Sequence, residues 1–195
     1  MEPGSTAAEL PLVEFADRPA WETWLRDNHD ESSGVWLKLA KKGAPRETVT
    51  QAEAIEAALC FGWIDGQVGT VDAHFYRQRF THRRPRSKWS QINRGRATTL
   101  IQRGLMQQPG LEEVEKARKD GRWDAAYEPQ STATVPDDFA AALSAQPEAE
   151  VFFATLTGVR RYAFLYRIQD AKRPETRARR IAKFVELLAE RKTLN

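Results

Sequence analysis

Cysteine is nearly absent from this sequence, with Cys60 the single example among 195 residues. An internal disulfide and a multi-cysteine zinc site are therefore excluded, and a reducing compartment is expected. Long apolar runs are missing too, and none approaches the roughly 20 residues a membrane-spanning helix needs. The opening stretch MEPGSTAAELPLVEF has neither a basic start nor an apolar run of the kind that directs export. Together these features predict a cytosolic protein. Histidine is scarce as well: His29, His74 and His82. His74 and His82 share one strand face but stand roughly 25 Å apart, too far to hold one metal ion. There is no glycine-rich phosphate loop, no G-x-S-x-G elbow and no dinucleotide fingerprint, so no cofactor is implied.

A local absence is more informative. From Ala73 to Leu111 the chain has no Asp or Glu, and it has nine Lys or Arg. Residues 1–72 hold thirteen acids and six bases, 112–157 ten and four, and 158–195 four and eleven. The formal net charge of +3 conceals four alternating blocks, acidic, basic, acidic, basic. Either the blocks neutralise each other in the fold, or the two basic ones share a face and form a positive cleft. The composition, with 41% hydrophobic and 29% charged residues, is that of an ordinary globular protein, and the length allows a substantial core.

The spacing then predicts elements. Residues 1–13, with Pro3, Gly4 and Pro11, read as a frayed terminus. Asp17 caps a helix to about Asn28, and Val35–Leu39 alternates like a half-buried strand. Thr50 and Glu53 form a capping box for a second helix that ends at Gly62. Trp63–Val71 and Ala73–Thr81 read as two strands. Along the second, His74, Tyr76, Gln78, Phe80 and His82 face one way, and Phe75, Arg77, Arg79 and Thr81 the other. Phe75 is out of place on a fully solvated face. Ser87 is expected to cap a helix over about 88–103, burying Trp89, Ile92, Ala97 and Leu100. Pro109 opens a short acidic helix closed by Gly121. Residues 128–136 read as a linker, and after it come four helices, the last starting at Pro174 with Ile181, Phe184, Val185 and Leu188 inward. The fold class is α+β: an α+β domain over 14–127, the linker, and a helical C-terminal module over 137–195.

Within 59–93 several residues invite a chemical reading. The amides of Lys88, Trp89 and Ser90 behind Ser87 would form an anion site at a helix start, with Arg83, Arg84 and Arg86 before it and Arg77 and Arg79 on the strand. The plain alternative is a solvated basic loop. Trp63 reads as a core aromatic and Asp65-Gly66 as a strand-entry turn, although Asp65 could instead hold Arg77 or Arg79. Cys60 reads as a small buried thiol rather than half of a Cys–His pair. Arg173, Arg177, Arg180 and Lys183 form a basic stripe on the last helix, which either tracks a polyanion or is its solvated face.

Several words of the chain resemble the YdeI/OmpD-associated family, also described as bacteriocin-protection proteins. They are Trp63-Ile64-Asp65-Gly66, then Tyr76, Phe80 and Thr81, then Ser87-Lys88-Trp89-Ser90 with Asn93, and Gly104-Leu105-Met106 with Pro109 and Gly110. In the closing stretch RRYAFLYRIQDAKRPETRARRIAKFVELL, Ala171, Lys172, Glu175, Thr176, Arg177 and Arg180 match the family pattern. Tyr166 stands where that module usually has tryptophan, and His82 where proline is common. The resemblance spans about residues 14–192. It implies an α+β fold and no established catalytic mechanism.

The expectation is a cytosolic binding protein for a phosphorylated or carboxylate ligand, in a setting of stress or antimicrobial-peptide resistance. Its ligand-binding residues would be Trp63, Asp65, Tyr76, Arg77, Arg79, Arg83, Arg84, Arg86, Ser87, Trp89, Ser90 and Asn93. Nucleic-acid binding through the same surface is the alternative. An enzyme with Asp65 or His74 as base is the third reading, with no catalytic set identified. No membrane span, metal or specific protein partner is implied.

Overall fold

The computed structural model describes residues 9–194, which fall into two units. One holds the residues up to Trp89 and Asn93–Ala125, and the other Ser90–Ile92 and the residues from Ala126 onward.

In the first unit β1 (Leu12–Val13), α1 (Arg18–Asn28), β2 (Val35–Ala40), α2 (Gln51–Cys60), β3 (Trp63–Thr70) and β4 (Phe75–His82) follow in order. After them come α3 (Gln91–Gln102), mostly in this unit, and α4 (Gln108–Lys119). The sheet order is β1-β2-β4-β3. Three strands pair antiparallel as expected, but β1 was not foreseen and lies parallel to β2. Two residues beside a proline are too short for alternation to show. The frayed-terminus reading is thus corrected at Leu12–Val13, and for residues 1–8 it lies outside the described residues.

Local chemistry fixes the helix ends. Asp17 accepts a bond from the Ala20 amide, and Thr50 and Glu53 complete a reciprocal capping box. Gly62 stops α2 with φ +74°, a conformation that side-chain-bearing residues resist. The expected helix at Ser87 starts later, at Gln91, because Ser87 is used elsewhere: its Oγ accepts the Arg84 amide and closes a turn. Ile92 is 47% exposed rather than buried, whereas Ala97 and Leu100 are enclosed as expected.

Strand alternation sorts the first unit into two sheet faces. Val35 pairs with Phe80, Leu37 with Gln78 and Leu39 with Tyr76, so these side chains share the face on which α1 and α2 lie. There Trp21 of α1 meets Phe80 and Trp63 edge-on at 5.8 and 6.4 Å, and its indole donates to the Ala54 carbonyl. The reverse face carries Trp36, Lys38, Phe75, Arg77 and Arg79.

The second unit contains α5 (Asp137–Ser144), α6 (Pro147–Thr155), α7 (Gly158–Gln169) and α8 (Pro174–Ala189). They enclose a core of Phe139, Leu143, Phe153, Phe164, Ile168, Ile181, Phe184 and Leu188. The 128–136 stretch is tied into this unit. The Glu128 amide donates to Gln169, and Tyr162 donates to the Glu128 carbonyl at 2.6 Å.

Gly110 marks the tightest seam. A Cβ there would sit 2.4 Å from the Cys60 carbonyl oxygen and 2.6 Å from that of Leu59, both backbone atoms. Gly110→Ala must therefore separate α4 from the end of α2, and a loss of about 1–3 kcal/mol is expected. Urea unfolding should show a lower midpoint; an unchanged midpoint would mean that these helices do not meet this closely.

Candidate functional site

The twelve residues singled out in the sequence do not form one pocket. Trp63 is fully buried on the helix side, its Nε1 donating to the His29 carbonyl at 3.2 Å. It offers no wall to a ligand. Tyr76 shares that face, with burial pushing its phenol pKa up. Arg77 and Arg79 lie on the opposite face, so Asp65 does not hold either of them. Instead Asp65 accepts from Gln78 at 3.1 Å and Asn93 at 3.2 Å, while Gln51 donates to Gln78 and Arg96 to Asn93. Gln78 is only 2% exposed. This chain of amides around one carboxylate ties α2, the sheet and α3 together, a structural use of a part-buried polar network.

The basic loop is also divided. Arg83 is buried, its guanidinium 3.6 Å from the centre of the Trp89 ring, and Trp89 packs edge-on against Trp123. This stack is part of the core. Ser87 closes the turn from Arg84, and Ser90 bridges to Tyr127. The amides of Lys88, Trp89 and Ser90 precede the helix rather than begin it, so the expected helix-start anion site is not formed. Arg84 and Arg86 are exposed on the loop.

Of the twelve, Arg77 and Arg79 come together on the reverse sheet face. They are two residues apart on β4, about 7 Å along the strand. Both are part-exposed, yet the Nε of each is sealed from solvent and without a hydrogen bond. Among the described residues neither guanidinium is ion-paired. The cause lies in the neighbouring strands. Gly69 and Gly66 on β3 leave room where side chains would stand: a Cβ at Gly69 would be 3.3 Å from Arg77 Nε, and one at Gly66 3.4 Å from Arg79 Nε. From β2, Trp36 places its ring 4.5 Å from the Arg77 guanidinium carbon. The stems are thus packed down and the outer nitrogens left at the surface.

Elsewhere on this face two cations share one carboxylate. Glu14 takes Lys38 at 3.0 Å and Arg46 through both oxygens at 2.6 and 2.8 Å. Lys38 and Arg46 also lie over the Phe75 ring, which explains an apolar residue among cations. The sequence reading gave no part in a site to Trp36, Lys38, Arg46, Glu14 or Gly69, and it took Gly66 only for a strand-entry turn. The alternation of VWLKLA puts Trp36 and Lys38 on one face, but only the register of β2 on β4 brings them to Arg77.

Other candidates carry less. His74 is exposed, and burial raises the Cys60 thiol pKa to about 11, which makes it a poor nucleophile. Among the described residues no group of three or more His, Cys, Asp or Glu could hold a metal ion. No described helix is long and apolar enough to cross a membrane. On α8, Arg177 forks onto Asp138 and Arg180 bonds the Arg167 carbonyl, so half of the expected basic stripe is used internally.

Hydrogen bonds from Arg46, together with Lys38, lower the Glu14 pKa from its ordinary 4.5 to about 2. Because the carboxyl is more acidic folded than unfolded, its pairing contributes fully above about pH 4.5 and is lost as pH falls through about 2. Acid titrations of unfolding should therefore show a shallower loss of stability across this range in Glu14→Gln than in the wild type. Parallel curves would show that the carboxylate is not held this way.

Comparison with known proteins places residues 13–113, just over half of the chain, in the family model described as a domain of unknown function (DUF8412). Residues 132–191 match the model described as bacteriocin-protection, YdeI or OmpD-associated. The YdeI/OmpD resemblance, expected over the whole chain, is thereby confined to the C-terminal part. No curated protein and no solved structure matches the chain.

Proposed function

Since the chain belongs to the family described as a domain of unknown function (DUF8412), whose description assigns no chemistry, we propose its function from the sheet: it binds an anionic, phosphate- or carboxylate-bearing ligand on the reverse face of the first unit. Arg77 and Arg79 supply forked donors, and Trp36 supplies an adjoining flat surface. The observation that carries this reading is the pair of half-enclosed guanidiniums with no carboxylate partner among the described residues. An exposed lysine gives up much hydration when it meets an anion. A guanidinium already stripped at Nε and packed on an indole gives up less, and its outer nitrogens remain aligned for two parallel bonds.

Lys38 and Arg46 form a second rank of charge, restrained by Glu14. The bacteriocin-protection wording attached to the match at 132–191 supports a bacterial setting of stress or antimicrobial-peptide resistance. A cytosolic location belongs to the same reading and is supported by the free, buried Cys60. Catalysis is not part of it: Asp65 is engaged by neutral amides within the fold.

Thermal unfolding with inorganic phosphate, pyrophosphate and citrate tests the proposal. The wild type should be stabilised by at least one of them, by about 2.7 kcal/mol at a hundredfold excess over Kd. Arg77→Ala/Arg79→Ala should weaken that response about tenfold or more, while Glu14→Gln, which frees Lys38 and Arg46, should strengthen it. Absence of any response in the wild type, or an equal response in the arginine variant, would overturn the reading.

A further inference from the structure

Resting on the anion-binding reading, we infer that the ligand of the reverse sheet face is single-stranded nucleic acid, with successive phosphates on Arg77 and Arg79 and a base stacked beside Trp36. Three features of the face select this chemistry. First, the charges are linear. Arg77 and Arg79 leave one strand about 7 Å apart at the backbone, so their stems are set in a row that an extended phosphodiester backbone can follow. Lys38 pairs with Arg77 across β2 and β4, which extends the positive track sideways.

Second, the charges are interleaved with flat groups. Trp36 stands directly opposite Arg79 on β2 and diagonal to Arg77, whose guanidinium lies over its ring. Indole and guanidinium planes are the two protein surfaces on which unpaired bases stack. Bases locked in a duplex cannot stack in this way, so the face selects a single strand. Third, the neighbouring edge argues against an extended acidic peptide, the other polymer of suitable repeat. Such a peptide would add to β3 as a further strand, and β3 is irregular between Asp65 and Val68, where a bulge breaks the ladder. A backbone lying on the face needs no ladder.

Gly66 and Gly69 serve the same end. They keep β3 low beneath the arginine stems, so the track is bounded by Trp36 on one side and open on the other.

Fluorescence anisotropy with labelled oligo-dT and oligo-U of about 15 nucleotides, titrated between about 50 and 200 mM salt, tests the inference. The wild type should bind with a falling log–log salt dependence. Arg77→Ala/Arg79→Ala should lose at least tenfold in affinity and lower the slope by about 1.4, the share of two phosphate contacts. Trp36→Leu should lose about tenfold with the slope unchanged, and Arg77→Lys, which keeps charge but loses the planar stack, should fall between. Arg173→Ala/Arg179→Ala, an equal charge change on exposed residues of the second unit, should leave affinity within about twofold.

If pyrophosphate stabilises the wild type through Arg77 and Arg79 but neither oligonucleotide binds, the nucleic-acid inference fails and the anion-binding reading stands. If nothing binds, both fail. Equal affinity for duplex DNA, or tighter binding of polyglutamate with the same arginine dependence, would also overturn the inference, in favour of a backbone-only or an acidic-peptide ligand.

Discussion

When Val35 pairs with Phe80 and Leu39 with Tyr76, every other residue of β2 and β4 is committed to a face. Aliphatic side chains and Phe80 turn toward α1 and α2, where Trp21 and Trp63 close the core. The same choice turns Trp36, Lys38, Phe75, Arg77 and Arg79 the other way. A slip of one residue would bury two guanidiniums among helices and expose a phenylalanine, at a cost well beyond the marginal stability of a domain. The cationic face is thus a consequence of core packing. Its charge arises because β4 draws its outward positions from the acid-free part of the chain.

Charge on that face is treated in two ways. Lys38 and Arg46 share Glu14 and cover Phe75, giving a local cluster of reduced positive charge whose stability depends on that carboxylate remaining ionised. Among the described residues Arg77 and Arg79 have no such counter-ion, and they rest on glycine and indole. The contrast within a few residues is the ground on which the second pair is proposed as binding groups. Surface ion pairs contribute little in general, whereas a packed guanidinium without a carboxylate nearby is costly to keep, and the proposed anionic ligand would offset that cost.

Much of the fold could be read directly, because it is written in local rules. The caps at Asp17 and Thr50, the prolines at the start of α4 and α8, and the glycine stop at Gly62 each act within one helical turn. The misplaced start of α3 shows the limit of such rules: Ser87 is a sound cap in isolation, but it closes the turn from Arg84 instead. The site was legible only in part. Arg77 and Arg79 stood out by charge, while Trp63 and Asp65, readable as structural residues, and Arg83 were also offered to a ligand because aromatic and polar residues look alike whether they serve a core or a ligand. Trp36, Gly66 and Gly69 become relevant only through strand register, which depends on residues tens of positions away.

The most direct measurement is of the guanidinium signals themselves. In a nitrogen–proton NMR titration with pyrophosphate, the Arg77 and Arg79 Nε–H resonances should move together and saturate at one concentration, while those of Arg84 and Arg86 stay in place. Movement confined to the Arg84 and Arg86 loop, with Arg77 and Arg79 unchanged, would contradict the account.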